Sequence, residues 1–145
     1  MAETDASYPG KVTFELVSPE RILLSEAVEM VVIPGTEGDF GVLPGHSPLI
    51  SSIRPGTIRV YSGTTVTEAI FVPSGFAEVT PERCTVLADS AISVAALDRD
   101  VVTAELADAT AALAAAGTAV DAYEGKQLSQ AVLVAEAKLY AIDTK

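Results

Sequence analysis

The sequence predicts a β + α chain: an N-terminal antiparallel β-sandwich of about eight to ten strands, then a C-terminal antiparallel α-helical hairpin. Three observations carry this. Short alternating or β-branched runs lie between Gly and Pro from Lys11 to about Ala91. From about Leu97 onward Gly and Pro nearly vanish and alanine dominates, which favours helix. Two apolar seams at helical spacing occupy that second part. The boundary falls so that residues 1–94 form the sandwich and 95–145 the hairpin.

Each element has its own warrant. "KVTFELV" alternates Val12, Phe14 and Leu16 with polar positions, the period of a half-buried strand. "AVEMVVIPG" is a β-branched run closed by Pro34-Gly35. "GDFGVLPGHSPLI", Gly38 to Ile50, reads as a stiff glycine-shaped loop, with Gly35, Gly38, Gly41 and Gly45 candidates for positive φ. Its Phe40, Val42 and Leu43 read as a docking surface. "TIRVYSGTTVTEAIFVPSG" reads as a hairpin turning at Ser62-Gly63, and "FAEVTPERCTVLAD" as another turning at Pro81-Glu82. In the second part Val102, Leu106, Ala109 and Leu113 form one seam. Leu128, Val132, Ala135, Leu139 and Ile142 form the other. Asp98 caps the first helix, Gly117 ends it, and Thr118 with Asp121 forms a capping box for the second. So short a link folds the helices back on each other.

Composition excludes several classes of function. A net charge of −11 disfavours nucleic acid, where affinity rests on neutralising phosphates, and disfavours adsorption to anionic lipid. Cys84 is the only cysteine, so no internal disulfide exists, and its setting "RCTVLAD" reads as a buried strand. "MAETDASYPG" has the character of neither a signal peptide nor an Arg-rich transit peptide. No apolar run reaches the ~18 residues needed to span a bilayer, so no lipid insertion is expected.

Catalytic readings lack parts. One His and one Cys make no zinc site of ordinary type, and no cofactor is expected. "GHSPL" has Leu49 where a nucleophile elbow needs glycine. There is no P-loop, and the spacing of Gly38, Gly41 and Gly45 does not fit a dinucleotide fingerprint.

The order of residues resembles the epsilon-subunit family of bacterial rotary ATP synthases, counterpart of the mitochondrial delta subunit. The likeness runs over nearly the whole chain. It begins with "FELVSPERILLSEAVEMVVIPGTEGDFGVLPGHSPLISSIRPGTIRV", continues through "VPSGFAEVTPERCTVLADSA" and ends in the Ala-rich helices. The pattern G-[DE]-[FL]-G-[IV]-x-P-G-H-[AS]-P-L, followed by Pro55-Gly56, is its most specific part.

The resemblance implies a non-catalytic subunit at the foot of the central stalk. Such a subunit binds gamma, rests on the c-ring and couples rotation to ATP synthesis, peripheral on the cytoplasmic face of the bacterial inner membrane. It implies a ring contact at Glu37, Gly38 and Asp39, and a ring and gamma surface through Phe40, Leu43, Pro44, Gly45 and His46. In many relatives the hairpin reaches the alpha and beta subunits and inhibits hydrolysis. Here the segment from Asp98 onward has eight acids and four bases, a net −4, which acidic partners repel. The ATP pattern [IL]-D-x-x-R-A of some relatives survives only as Leu97 and Asp98, because Val101 and Val102 stand where Arg and Ala belong. The resemblance therefore implies weak or absent self-inhibition and no tight ATP binding, with inhibition through the hairpin as the alternative.

Overall fold

The computed structural model describes residues 10–118 and 121–144. The reading of the N-terminal segment as no leader falls on residues that are mostly outside this range, as does the charge of Lys145. The chain divides into two compact units, Met1–Ser93 and Val94–Lys145.

The first unit carries ten strands among its described residues. They are β1 (Val12–Val17), β2 (Ile22–Val28), β3 (Met30–Gly35), β4 (Gly38–Val42), β5 (Leu49–Ile53), β6 (Gly56–Ser62), β7 (Thr65–Val72), β8 (Gly75–Val79), β9 (Arg83–Leu87) and β10 (Ile92–Ser93). Hydrogen bonding runs in the order β10-β7-β6-β3-β5-β8-β9-β1-β2, with β4 on the other edge of β3. β3 is where the sheet changes layer: Met30 to Val32 pair with β6, while Gly35 pairs with Ile53 of β5. The inner faces meet in one core of Val12, Phe14, Leu16, Val31, Ile33, Ile58, Val60, Val79, Cys84 and Val86, all at most 2% exposed. Cross-strand register sets the faces: Phe14 lies opposite Cys84, Leu16 opposite Val86 and Val31 opposite Val60. Alternation in β1, read from "KVTFELV", is thus the alternation of core and surface.

Three expectations need correction. The sheet is not wholly antiparallel, because β1 enters between β2 and β9 and runs parallel to β9. The β6–β7 turn lies at Gly63-Thr64, one residue beyond the expected place, because Ser62 still pairs with Thr65. The glycine-rich stretch is not all loop: Gly38–Val42 is a strand paired along β3. Of its four candidate glycines, Gly38 and Gly45 have positive φ, and Gly35 and Gly41 do not. The Pro81-Glu82 turn is as expected, closed by the Thr80 and Arg83 backbone pair.

The second unit opens with a single 3-10 turn, Val94–Ala96, followed by α1 (Arg99–Ala116) and α2 (Ala122–Thr144). None of the nine seam residues is exposed. Arg99 at the start of α1 pairs with Asp143 near the end of α2, and Lys138 Nζ meets Glu105 Oε1 at 3.0 Å, so the helices run antiparallel. Asp98 is the N-cap of α1, and Gly117, with φ +54, is its C-cap. The capping box at Thr118 is corrected: α2 starts at Ala122, and Asp121 Oδ1 itself accepts from the Glu124 amide at 2.8 Å.

Candidate functional site

β3 and β4 form a tight hairpin whose tip is Thr36-Glu37, because Gly35 pairs with Gly38. Thr36, Glu37, Gly38 and Asp39 are all exposed. Pro34 lies opposite Asp39 in a non-hydrogen-bonded pair, its carbonyl facing β5. Arg54, just beyond β5, stitches this end. Its Nη2 donates to Asp39 Oδ1 at 2.5 Å and its Nη1 to the Gly35 carbonyl at 2.5 Å. Its backbone amide donates to the Pro34 carbonyl at 3.0 Å, and the Thr36 amide donates to the Ser52 carbonyl at 3.0 Å.

The other end of β4 carries a second feature. Leu43 to His46 form a β-turn in which the His46 amide donates to the Leu43 carbonyl at 3.1 Å. Pro44 at the second position and Gly45 with φ +85 at the third are the residues a type II turn needs. The Gly45 amide donates to the Pro81 carbonyl at 2.8 Å, tying this turn to the β8–β9 turn. His46 Nδ1–H donates to the Ser47 carbonyl at 2.7 Å, and its ring tilts over Phe40 with centroids 6.5 Å apart. His46 therefore packs and hydrogen-bonds. No group of three or more His, Cys, Asp or Glu side chains that could hold a metal occurs among the described residues.

The residues the sequence singled out as one continuous surface are thus split. Glu37, Gly38 and Asp39 lie at one end of β4; Leu43, Pro44, Gly45 and His46 lie beyond its other end, about 13 Å away along the strand. Phe40 lies between, opposite Ile33, half-buried against the core. Val42 is fully buried and is core, not docking surface, because it faces Val31 across the ladder. Leu43, 53% exposed, is the apolar residue that the turn presents.

A second surface went unread in the sequence. Ile22, Val17, Leu87 and Phe76 stand directly opposite one another across β2, β1, β9 and β8, ending at Ser52 of β5. Their neighbours in each strand face the core, so this row faces out. Ile22, Leu87 and Phe76 are 59%, 52% and 57% exposed, and Ile50, two residues from Ser52, is 74% exposed. A groove lined by Val17, Ser52, Phe76 and Leu87 runs along it. Contiguous apolar surface of this kind marks an interaction site. The signal was present as apolar residues at outward positions, but only cross-strand register gathers them.

In the second unit the Asp98 carboxylate accepts from the Asp100 and Val101 amides, at 2.9 and 3.1 Å, so it is engaged as a helix cap. Leu97 sits just before it, its amide donating to the Val94 carbonyl. Arg99, the nearest guanidinium in sequence, is held by Asp143.

Cys84 is buried in β9, and burial pushes its thiol up to about 12, which leaves it protonated and inert. No described helix is long and apolar enough to cross a membrane.

Comparison with known proteins gives the family and its fold. The family described as ATP synthase, Delta/Epsilon chain, beta-sandwich domain matches residues 11–94. The chain is 53% identical to the ATP synthase epsilon chain of Rhodospirillum rubrum over 128 residues, covering 88% of this chain and 93% of that one. It is 49% identical to that of Granulibacter bethesdensis over 131 residues, covering 87% and 97%. In fold it is similar to a chain in the Euglena gracilis mitochondrial ATP synthase OSCP/F1/c-ring structure, with TM-score 0.79 at 23% identity over 96% of this chain and 86% of that one. A chain of the Tetrahymena thermophila central stalk/c-ring structure gives TM-score 0.59 at 15% identity over 93% and 97%.

Proposed function

The chain belongs to the ATP synthase delta/epsilon family, and from that premise we propose that it is a non-catalytic central-stalk subunit that links gamma to the c-ring. The carrying observation is the outward apolar row of Ile22, Leu87 and Phe76 on a sheet whose inner face is already fully used by the core. That row is the gamma face. A stalk component bears torque, so its interface must be long-lived, and apolar contact on a stiff, close-packed support supplies that.

The β3–β4 tip, with Glu37, Gly38 and Asp39, is the ring contact. A short, charged, exposed hairpin end suits the polar loops of a ring better than it suits an apolar groove. The Leu43–His46 turn lies at the β8–β9 turn, the other end of those strands from the row, and offers the ring or gamma a second, separate contact. As part of the complex the chain lies peripherally on the cytoplasmic face of the bacterial inner membrane.

Inhibition through the hairpin is the weaker reading. Acidic residues outnumber basic ones there, and the two charged groups at the start of α1 are otherwise engaged, Asp98 as its cap and Arg99 with Asp143. No tight ATP binding follows, and calorimetry on the isolated chain should give no micromolar heat of binding.

Capture by gamma tests the main reading. The chain should retain gamma through purification, and Leu87→Glu with Phe76→Glu should release it while the isolated variant stays folded. Retention of gamma by the folded double variant would overturn the assignment of this face.

A further inference from the structure

Resting on the reading of the β3–β4 tip as the ring contact, we infer that Arg54 is the positioning residue of that tip. One guanidinium bridges the two strands at the end of their ladder, beside the Thr36-Glu37 tip. Nη1 takes the Gly35 carbonyl at the end of β3, and Nη2 takes the Asp39 carboxylate on β4. Pro34 and Asp39 form a non-hydrogen-bonded pair, so no backbone bond joins those two residues and the side-chain bridge adds a link there. The Arg54 amide donates to the Pro34 carbonyl as well, so the residue just beyond β5 holds the hairpin by both backbone and side chain.

The ion pair is exposed, 42% at Arg54 and 48% at Asp39, so it contributes little to global stability. Its effect is geometric. A fork of two donors fixes the Asp39 rotamer and the direction of the tip together, which a single ammonium cannot do. It also divides the labour of the two tip carboxylates: Asp39 is neutralised inside the chain, and Glu37 at the turn is the charge presented to a partner. Under torque, a tip free to swing would lose the step of the ring as elastic slack.

The test uses the isolated full chain for geometry and the assembled enzyme in vesicles for coupling. Arg54→Gln should leave the melting temperature close to that of the parent. Backbone order parameters at Glu37 and Gly38 should fall from the rigid range near ~0.85 to below ~0.6. In vesicles it should lower proton pumping per ATP hydrolysed several-fold with hydrolysis unchanged. Arg54→Lys should lie between parent and Gln in both measurements. Unchanged tip order in Arg54→Gln overturns the inference, whatever pumping does. Glu37→Lys separates the two claims. If it uncouples pumping while Arg54→Gln does not, the ring contact stands and the Arg54 role falls. If Glu37→Lys pumps normally while Arg54→Gln loosens the tip, the positioning role stands and the ring contact falls.

Discussion

Glu68 and Glu26 occupy positions that a sandwich normally gives to apolar residues. Glu68 lies opposite buried Val60, and Glu26 opposite buried Phe14, so both carboxyls sit at core-facing register positions on β7 and β2. Hydrogen bonding to Glu26, then partial burial, then the charge of Glu26 push Glu68 up from 4.5 to about 7. Its folded value is raised, so the folded chain binds the extra proton. The stabilisation is complete below about 4.5 and is lost as pH rises through about 7. Thermal melts should show the parent losing stability, relative to Glu68→Gln, as pH rises across that window. Parallel melting curves for the two would contradict the shared proton. Gly75 makes a second residue-scale case: at φ +156, an added Cβ would stand 2.2 Å from the Leu87 carbonyl oxygen. Gly75→Ala should cost about 2 kcal/mol or more in a denaturant titration. Neither feature was legible beforehand. "TEAIF" and "LSEAV" show an acid in each strand, but only the packing of two sequence-distant strands brings those acids together. The Asp39–Arg54 pair was hidden for the same reason, fifteen residues apart and joined by a strand reversal.

Elements were easier to read than their joints. Alternation in β1, the turn at Pro81-Glu82, both helical seams, Asp98 and Gly117 all depend on local chemistry, and local chemistry was decisive. β4 was missed because glycines at 38 and 41 suggested punctuation, although Phe40 and Val42 keep the period-two pattern of a strand facing the core. The second helix start slipped from Thr118 to Asp121 because Asp121 reaches the Glu124 amide directly. At this scale Asp98→Ala should remove two side-chain acceptor contacts from the α1 start and cost about 1 kcal/mol of hairpin stability by circular dichroism melting. The hairpin's acidic surface also sets an expectation for regulation. Ending the chain after Leu97 should leave ATP hydrolysis by the rebuilt enzyme nearly unchanged, and a several-fold rise would show that the hairpin does restrain it.

For the molecule as a whole, the surface and the charge act together. A net −11 disfavours polyanions as partners, while one outward sheet face keeps an apolar row. The tip and that row are different surfaces of one close-packed unit, joined through β5, which pairs with Gly35 near the tip and with Phe76 in the row. Such a unit transmits displacement without much internal give. The family resemblance was legible in the order of residues; the outward apolar row and its place beside the tip were not, because both are properties of register. The central claim, that this chain joins gamma to the ring, is tested most directly by ATP-driven proton pumping in vesicles rebuilt with and without it. The account predicts that omission leaves ATP hydrolysis running and abolishes pumping, and that adding the chain back restores pumping. Normal pumping without the chain would contradict it.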